Sequence, residues 1–250
     1  MKIDYKTGTN KILLDYYEKN GFIKTVKTAK AMYEINLKKA KPGFKTDLCG
    51  EVCETVLEIG IMEFMRKYPE ICKDWILKKG IIVKDIDNPN NGFLTEIDLV
   101  LATPQIIYIF ECKSYAGEKI LTDVCTIRTE KRSFDVYKQN LLHAKVFLKQ
   151  FAPYRANKTI KKFPLQLVLF SLSKGSITDE RNEVNKLLMP LVEIETLFKF
   201  LSQNIPTKNK EIVMLWKMQY VKRALEIIAE QSDANRSAHL DYVKNLHNKD

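Results

Sequence analysis

Two short runs hold the residues best suited to chemistry. Thr95-Glu96-Ile97-Asp98 sets two acids at i,i+2, and Glu111-Cys112-Lys113 sets an acid and a lysine at the same spacing. Residues at i and i+2 of a strand point to one side. Both runs lie in apolar stretches joined by Thr103-Pro104-Gln105, which predicts two antiparallel strands, 95–102 and 106–113, forming a hairpin. Paired strands lie ~4.8 Å apart, so an acid of one and the Glu-x-Lys of the other can meet. Three charges among apolar neighbours are costly to bury without a task. Carboxylate oxygens suit a hard cation such as Mg²⁺, which keeps waters and takes one or two carboxylates plus a substrate phosphate. The lysine beside it can orient an attacking water or offset charge on a scissile phosphate. The competing account of the same residues is a cross-strand salt bridge, Asp98 with Lys113, at a sheet rim.

The elements that must position this hairpin are partly legible. Asp47 to Tyr68 is an expected helix. Asp47 is placed to cap it, Leu48, Val52, Val56, Ile59 and Met62 to form its buried face, and Pro69 to end it. Glu51, Glu54 and Glu58 lie beside that stripe. Upstream, Thr9 or Asn10 can cap a helix closed by Gly21, and a second helix from Phe22 to Ala40 stops at Pro42-Gly43. Gly80 to Lys84 reads as a short strand and residues 87–92 as a turn-rich loop. Residues 114–133 read as irregular. Phe134 to Phe151 reads as a helix with Tyr137, Leu141, Ala144 and Leu148 as its apolar stripe, and Leu165 to Leu172 as a buried strand. Two or three helices follow. After a linker at 207–210, the last presents Ile212, Trp216, Tyr220, Ala224, Ile227 and Ile228 on one face. That face either packs on the core or forms a dimer surface.

Four motifs occur in order: Gly50-Glu51 on a helix, Thr95-Glu96-Ile97-Asp98, Glu111-Cys112-Lys113-Ser114-Tyr115-Ala116-Gly117, and Gln139-Asn140-Leu141-Leu142-His143. This pattern resembles the nuclease-related domain family, NERD, of the restriction-endonuclease-like superfamily with a PD-(D/E)XK core. The resemblance covers about residues 47–200. It implies an α/β fold with a mixed sheet and a helix–strand–strand–strand–helix–strand core, extended by helices at both ends. It implies that Asp98 and Glu111 bind metal, with the carbonyl of Cys112 as a third ligand. Lys113 would handle the water or the phosphate, and Glu51 would orient water or a second ion, with Glu54 its alternate. Gln139 would face the site. Glu96 and His143 are supporting candidates; for His143 a structural role is the competing account. Two departures from the family pattern fall in a loop: no Asn-Pro precedes Gln139, and residues 118–133 lack tryptophan.

Composition bounds the rest. The 250 residues are 45% apolar and 29% charged, which excludes collagen-like, disulfide-scaffold and wholly disordered chains. Lys and Arg outnumber Asp and Glu by 41 to 31, a net charge of +10, which favours an anionic partner. Seven lysines and one acid lie between Phe22 and Lys45, and six cations and no acid between Lys145 and Lys162. Lys38, Lys39, Lys41, Lys45, Arg155, Lys158, Lys161 and Lys162 are candidates for backbone phosphates; a solvated helix face is the bland account of the first stretch. Five cysteines form no paired framework and fit a reducing cytoplasm. Cys49 and Cys53 have helical spacing but no second Cys/His pair near them, so zinc is not expected there. No apolar run is long enough to span a bilayer. The expected organisation is a basic helical extension over 1–45, a nuclease-like domain over 46–206 and a helical extension over 207–250. The expected function is Mg²⁺-dependent hydrolysis of nucleic acid, DNA before RNA, with Mn²⁺ as a substitute. Cutting both strands with one site per chain would favour a homodimer. The alternative is a non-cleaving recognition module of a larger defence or mobile-element assembly.

Overall fold

A computed structural model of the chain describes residues 5–39, 44–84, 94–115, 117–130, 132–151, 165–172, 175–203 and 217–247. The basic loop at 152–164, the loop at 87–92, the Pro42-Gly43 break, the 207–210 linker, Ile212 and Trp216 lie outside them. The chain forms two compact units, each from three segments. The first is Met1–Lys73, Cys112–Asp135 and Leu169–Ile205; the second is Asp74–Glu111, Val136–Val168 and Pro206–Asp250.

The first unit is led by three helices, α1 (Tyr5–Asn20), α2 (Phe22–Lys39) and α3 (Phe44–Lys67). Gly21 closes α1 as expected: at φ +77° it takes the left-handed turn, and its N–H reaches Tyr17 O at 2.8 Å. The start of α1 differs from the expectation. It begins at Tyr5, and Asn10 lies inside it, accepting a hydrogen bond from the Thr55 hydroxyl of α3. Likewise α3 begins at Phe44, so Asp47 is its fourth residue and not its cap. Nor is α3 buried on one face only. Cys49, Cys53, Leu57, Ile61 and Phe64 are buried along with Val52, Val56 and Ile59. The reason is that α1, α2 and the short helix α7 (Leu197–Ser202) all pack on it. Phe22, Phe64 and Phe198 join these helices, with ring centroids 5.6 Å and 5.5 Å from Phe198. Full burial of a ring such as Phe64 is worth ~1.5–3 kcal/mol.

Residues 114–133 are not irregular. They contain β4 (Lys119–Thr122) and β5 (Thr126–Arg128), which pair with β6 (Ser133–Asp135) and β8 (Ile177–Asp179) in a sheet of order β6-β5-β4-β8. Strands of three or four residues are too short to show a period of two. The left-handed Asp123, φ 52°, turns β4 into β5.

In the second unit β1 (Ile76–Lys84), β2 (Leu94–Ala102) and β3 (Ile107–Lys113, completed by two residues of the first unit) run antiparallel. β1 starts four residues before the expected strand. The larger sheet has the order β1-β2-β3-β7-β9, with β7 (Leu165–Ser171) and β9 (Leu191–Glu193) parallel. The element order α3, β1, β2, β3, α5 (Val136–Phe151), β7 is the one the resemblance implies, with the short helix α4 (Pro69–Cys72), opened by Pro69, added before β1, the small sheet's first strands inserted before α5, and α6 (Glu183–Leu188) following β8.

Two helical faces of the second unit are rotated from their expected positions. On α5 the buried residues are Val136, Asn140, His143, Ala144, Val146 and Phe147, while Tyr137, Leu141 and Leu148 are half-buried. On α8 (Met218–His247) they are Val221, Leu225, Ile228, Ser232 and His239, while Tyr220 and Ile227 are exposed. In both helices polar residues occupy the buried stripe, where a rule of apolar spacing does not look for them. The last helix packs on β1 and β2.

Candidate active site

The β2–β3 hairpin is locked at its turn by Thr103. The Thr103 hydroxyl donates to Ile106 O at 2.8 Å and accepts from Ile106 N–H at 3.0 Å, and the Thr103 N–H reaches Ile106 O at 3.0 Å. That turn fixes a register in which Ala102 faces Ile107 and Leu99 faces Phe110. One step beyond Leu99 and Phe110 stand Asp98 and Glu111. Asp98 is half-buried and Glu111 is 1% exposed.

Helix α5 packs two polar residues onto β3. Asn140 Nδ2 donates to Ile109 O at 3.2 Å, and His143 Nδ1 lies 3.4 Å from Glu111 Oε2. The match is geometric: i,i+3 on a helix meets i,i+2 on a strand. A buried carboxylate needs a cationic or hydrogen-bonding neighbour, and His143 stands at that place. Gln139 is exposed, one residue before the buried Asn140, so it does not share the surroundings of His143. Glu96 stands two residues from Asp98, so both point to one side of β2. Its carboxylate lies 3.2 Å from Arg236 Nη1 and 3.5 Å from His239 Nε2, both on α8.

In the first unit, the Lys113 carbonyl accepts from the Ser171 hydroxyl at 3.1 Å and from the Cys53 thiol at 3.8 Å. Helix α3 therefore touches the end of β3 through Cys53. Glu51 is buried and Glu54 half-buried; Lys113 is half-buried and Cys112 buried. The loop after Lys113 is held by a residue that motif reading missed. Lys119 is 2% exposed, and its ammonium donates to Tyr115 O at 3.0 Å and Gly117 O at 2.6 Å. Burial pushes its pKa down, against the pull of Glu193. Gly117 takes φ +82°, and Tyr115 stacks on Phe134 with centroids 5.0 Å apart. A lysine in a β-strand read as irregular gave no signal for this clamp.

Of the expected phosphate-binding cations, Lys38 and Lys39 end α2 and Lys45 lies in the first turn of α3, while Lys41, Arg155, Lys158, Lys161 and Lys162 lie outside the described residues. Among the described residues no three His, Cys, Asp or Glu side chains gather as a ligand set. The candidate metal centre of the second unit is thus the Asp98–Glu111 pair. Its all-oxygen donors, one of them deeply buried, fit a hard cation that keeps several waters. All five cysteines are buried and unbridged. Among the described residues no helix is long and apolar enough to cross a membrane.

Residues 62–171 match the family model of the nuclease-related domain, NERD. The match, under half of the chain, spans three of the four motifs, namely the hairpin with Asp98 and Glu111, the Lys113 loop and α5, and leaves Gly50-Glu51 outside it. No curated protein matches the chain. One similar solved structure is titled "Crystal Structure of Protein of Unknown Function AF1548"; it is 17% identical, covering 70% of this chain and 95% of its own, at a TM-score of 0.27.

Proposed function

We propose that this nuclease-related chain is a Mg²⁺-dependent nuclease that hydrolyses phosphodiester bonds of DNA. The observation that carries this is the Asp98–Glu111 pair, side by side on a locked hairpin inside the NERD match, with Lys113 two residues further along the same strand. Asp98 and Glu111 would hold the cation, with the Cys112 carbonyl as a third oxygen. When bound, Mg²⁺ or Mn²⁺ would polarise the phosphate and lower the pKa of a bound water. Lys113 would orient the attacking water and offset negative charge building on the phosphate. Glu51 would orient water from α3, and Gln139 would contact the substrate from the exposed side of α5. The lysines at the end of α2 and the start of α3, with the cations of residues 152–164, would bind backbone phosphates, which fixes register but reads no sequence. Breaking both strands would require two copies of the chain. Five unbridged cysteines favour a cytoplasmic setting.

The test is incubation of supercoiled plasmid with the pure protein in Mg²⁺, Mn²⁺ or EDTA, beside Lys113→Ala. The expected result is nicking or linearisation in either metal, none in EDTA and none with the variant. Retarded but uncut DNA in both metals would refute the nuclease and favour the non-cleaving recognition module.

A further inference from the structure

Three carboxylates, Glu96, Asp98 and Glu111, lie on two neighbouring strands of the second unit, yet their surroundings differ sharply. Glu111 sits against His143 of α5. Glu96 is held by α8, from 140 residues away in sequence. Arg236 Nη1 donates to Glu96 Oε1 at 3.2 Å, and its Nη2 donates to Gly80 O at 3.1 Å. His239 Nε2 is 3.5 Å from Glu96 Oε2, and its buried Nδ1 has no hydrogen-bond partner among the described residues. One turn before Arg236, Ser232 Oγ accepts from Ile82 N–H at 2.7 Å and donates to Ile228 O at 2.6 Å. Ile82 is the residue opposite Glu96 in the β1–β2 register. The helix therefore covers backbone groups on the outer edge of β1, which would otherwise be a free sheet edge. The same turn of helix covers that edge and grips the carboxylate beside it.

We propose that Arg236, assisted by His239, is a positioning residue of the candidate metal centre. It neutralises Glu96 and keeps that carboxylate out of the ligand set, leaving Asp98 and Glu111 to bind the cation. The inference rests on the metal-dependent reading of the site. It makes the C-terminal helix part of the catalytic apparatus, because the charge on the acidic face of β2 is set from α8. Residues two apart in a strand are ~6.5–7 Å apart. A Glu96 stripped of its guanidinium would add one uncompensated negative charge at about that distance from a divalent ion. In water-like dielectric this strengthens binding of a doubly charged cation roughly five- to tenfold.

The experiment is titration of the full chain with Mn²⁺, followed by electron paramagnetic resonance of the free ion, on five proteins: wild type, Asp98→Asn, Glu96→Gln, Arg236→Gln and the Glu96→Gln/Arg236→Gln double variant. A thermal melt of each accompanies the titration. The expected result is binding by wild type that is lost in Asp98→Asn but kept, and weakened no more than severalfold, in Glu96→Gln, which leaves the Arg236 charge uncompensated. Arg236→Gln should bind severalfold more tightly or take up an additional ion, and the double variant should return to wild-type behaviour. If Asp98→Asn loses the ion but Arg236→Gln binds as wild type does, Arg236 is only a structural clamp and the proposal fails while the metal reading stands. Loss of binding in Glu96→Gln makes Glu96 a ligand and also overturns the proposal, and this arm decides the matter even if Arg236→Gln does not fold. Absence of Mn²⁺ binding in wild type overturns the metal reading and the proposal with it.

Discussion

Replacement of Arg181 by Met removes the most completely partnered buried cation of the first unit. The Arg181 side chain is 0% exposed. Its Nε and Nη2 reach the two Asp179 oxygens at 2.8 Å each, and its Nη1 reaches Val124 O at 2.9 Å and Met189 O at 2.6 Å. Methionine fills much of the same volume but donates nothing. Breaking a buried ion pair from one side costs ~3–5 kcal/mol. Asp179 keeps some access to water, with 23% of its side chain exposed, which argues for the lower end of that range. The two orphaned carbonyls add ~1 kcal/mol each. A loss of about 4–5 kcal/mol follows, or ~10–20 °C in melting temperature for a chain of this length. Urea unfolding at pH 7, followed by far-ultraviolet circular dichroism, measures it. The companion Arg181→Met/Asp179→Leu removes both charges and should recover more than half of the loss, because the cost lies in the stranded carboxylate. A single variant that loses less than ~2 kcal/mol, or a double variant whose losses merely add, would refute this account. Acid supplies a second check. Burial alone would raise the Asp179 pKa, but the hydrogen bonds and charge of Arg181 hold it below the usual carboxylate range. A carboxyl depressed in the folded state stabilises above its unfolded pKa and loses that share as pH falls through its folded one. Wild type should therefore lose stability there, and Arg181→Met should lose less.

Two further outcomes are expected. Gly175 has φ +103°, and a Cβ there would lie 2.4 Å from the Gly117 carbonyl oxygen, so Gly175→Ala should destabilise by ~2 kcal/mol or more in urea; Gly60→Ala, whose Cβ meets only the movable tips of Leu197 and Ile194, should cost less. Burial first, and then the 2.6 Å hydrogen bond to Glu63, push the Tyr17 hydroxyl up to about 12. The unfolded chain gives up this proton first, so stability should fall as pH rises from about 10 toward 12, and Tyr17→Phe should flatten the slope of urea midpoint against pH; an unchanged slope would sink that assignment.

What could be read from the sequence follows from how local the signal was. The hairpin was legible as an element because a short turn joins two apolar strands, so an acid of one strand could be brought to the Glu-x-Lys of the other; its register was not, because the Thr103 turn takes in Ile106 and pairs Ala102 with Ile107, one residue later than the expected three-residue turn. Helix α5 was legible as an element but not in its orientation. Its apolar residues Tyr137, Leu141 and Leu148 suggested one face, whereas β3 offers a carbonyl at Ile109 and a carboxylate at Glu111 that draw Asn140 and His143 inward. The small sheet was not legible, because β5 and β6 are three residues each and their pairing runs through turns without a strong signature.

The same cause hides the most informative part of the site. Ser232, Arg236 and His239 look like the polar side of a solvated helix, since the strand groups that turn them inward are far away in sequence. Their partners, Ile82, Gly80 and Glu96, are about 140 to 156 residues earlier. A polar residue is turned inward only where the opposing strand presents a group that must be satisfied, and on β1–β2 those groups are an open sheet edge and a carboxylate two residues from Asp98. The failure of the apolar rule on α5 and again on α8 is therefore not random. Both helices bury polar side chains against the strands that carry the candidate metal ligands, and that coincidence marks the acidic face of the β2–β3 hairpin as the place where the fold accepts polar burial to hold charged groups in position.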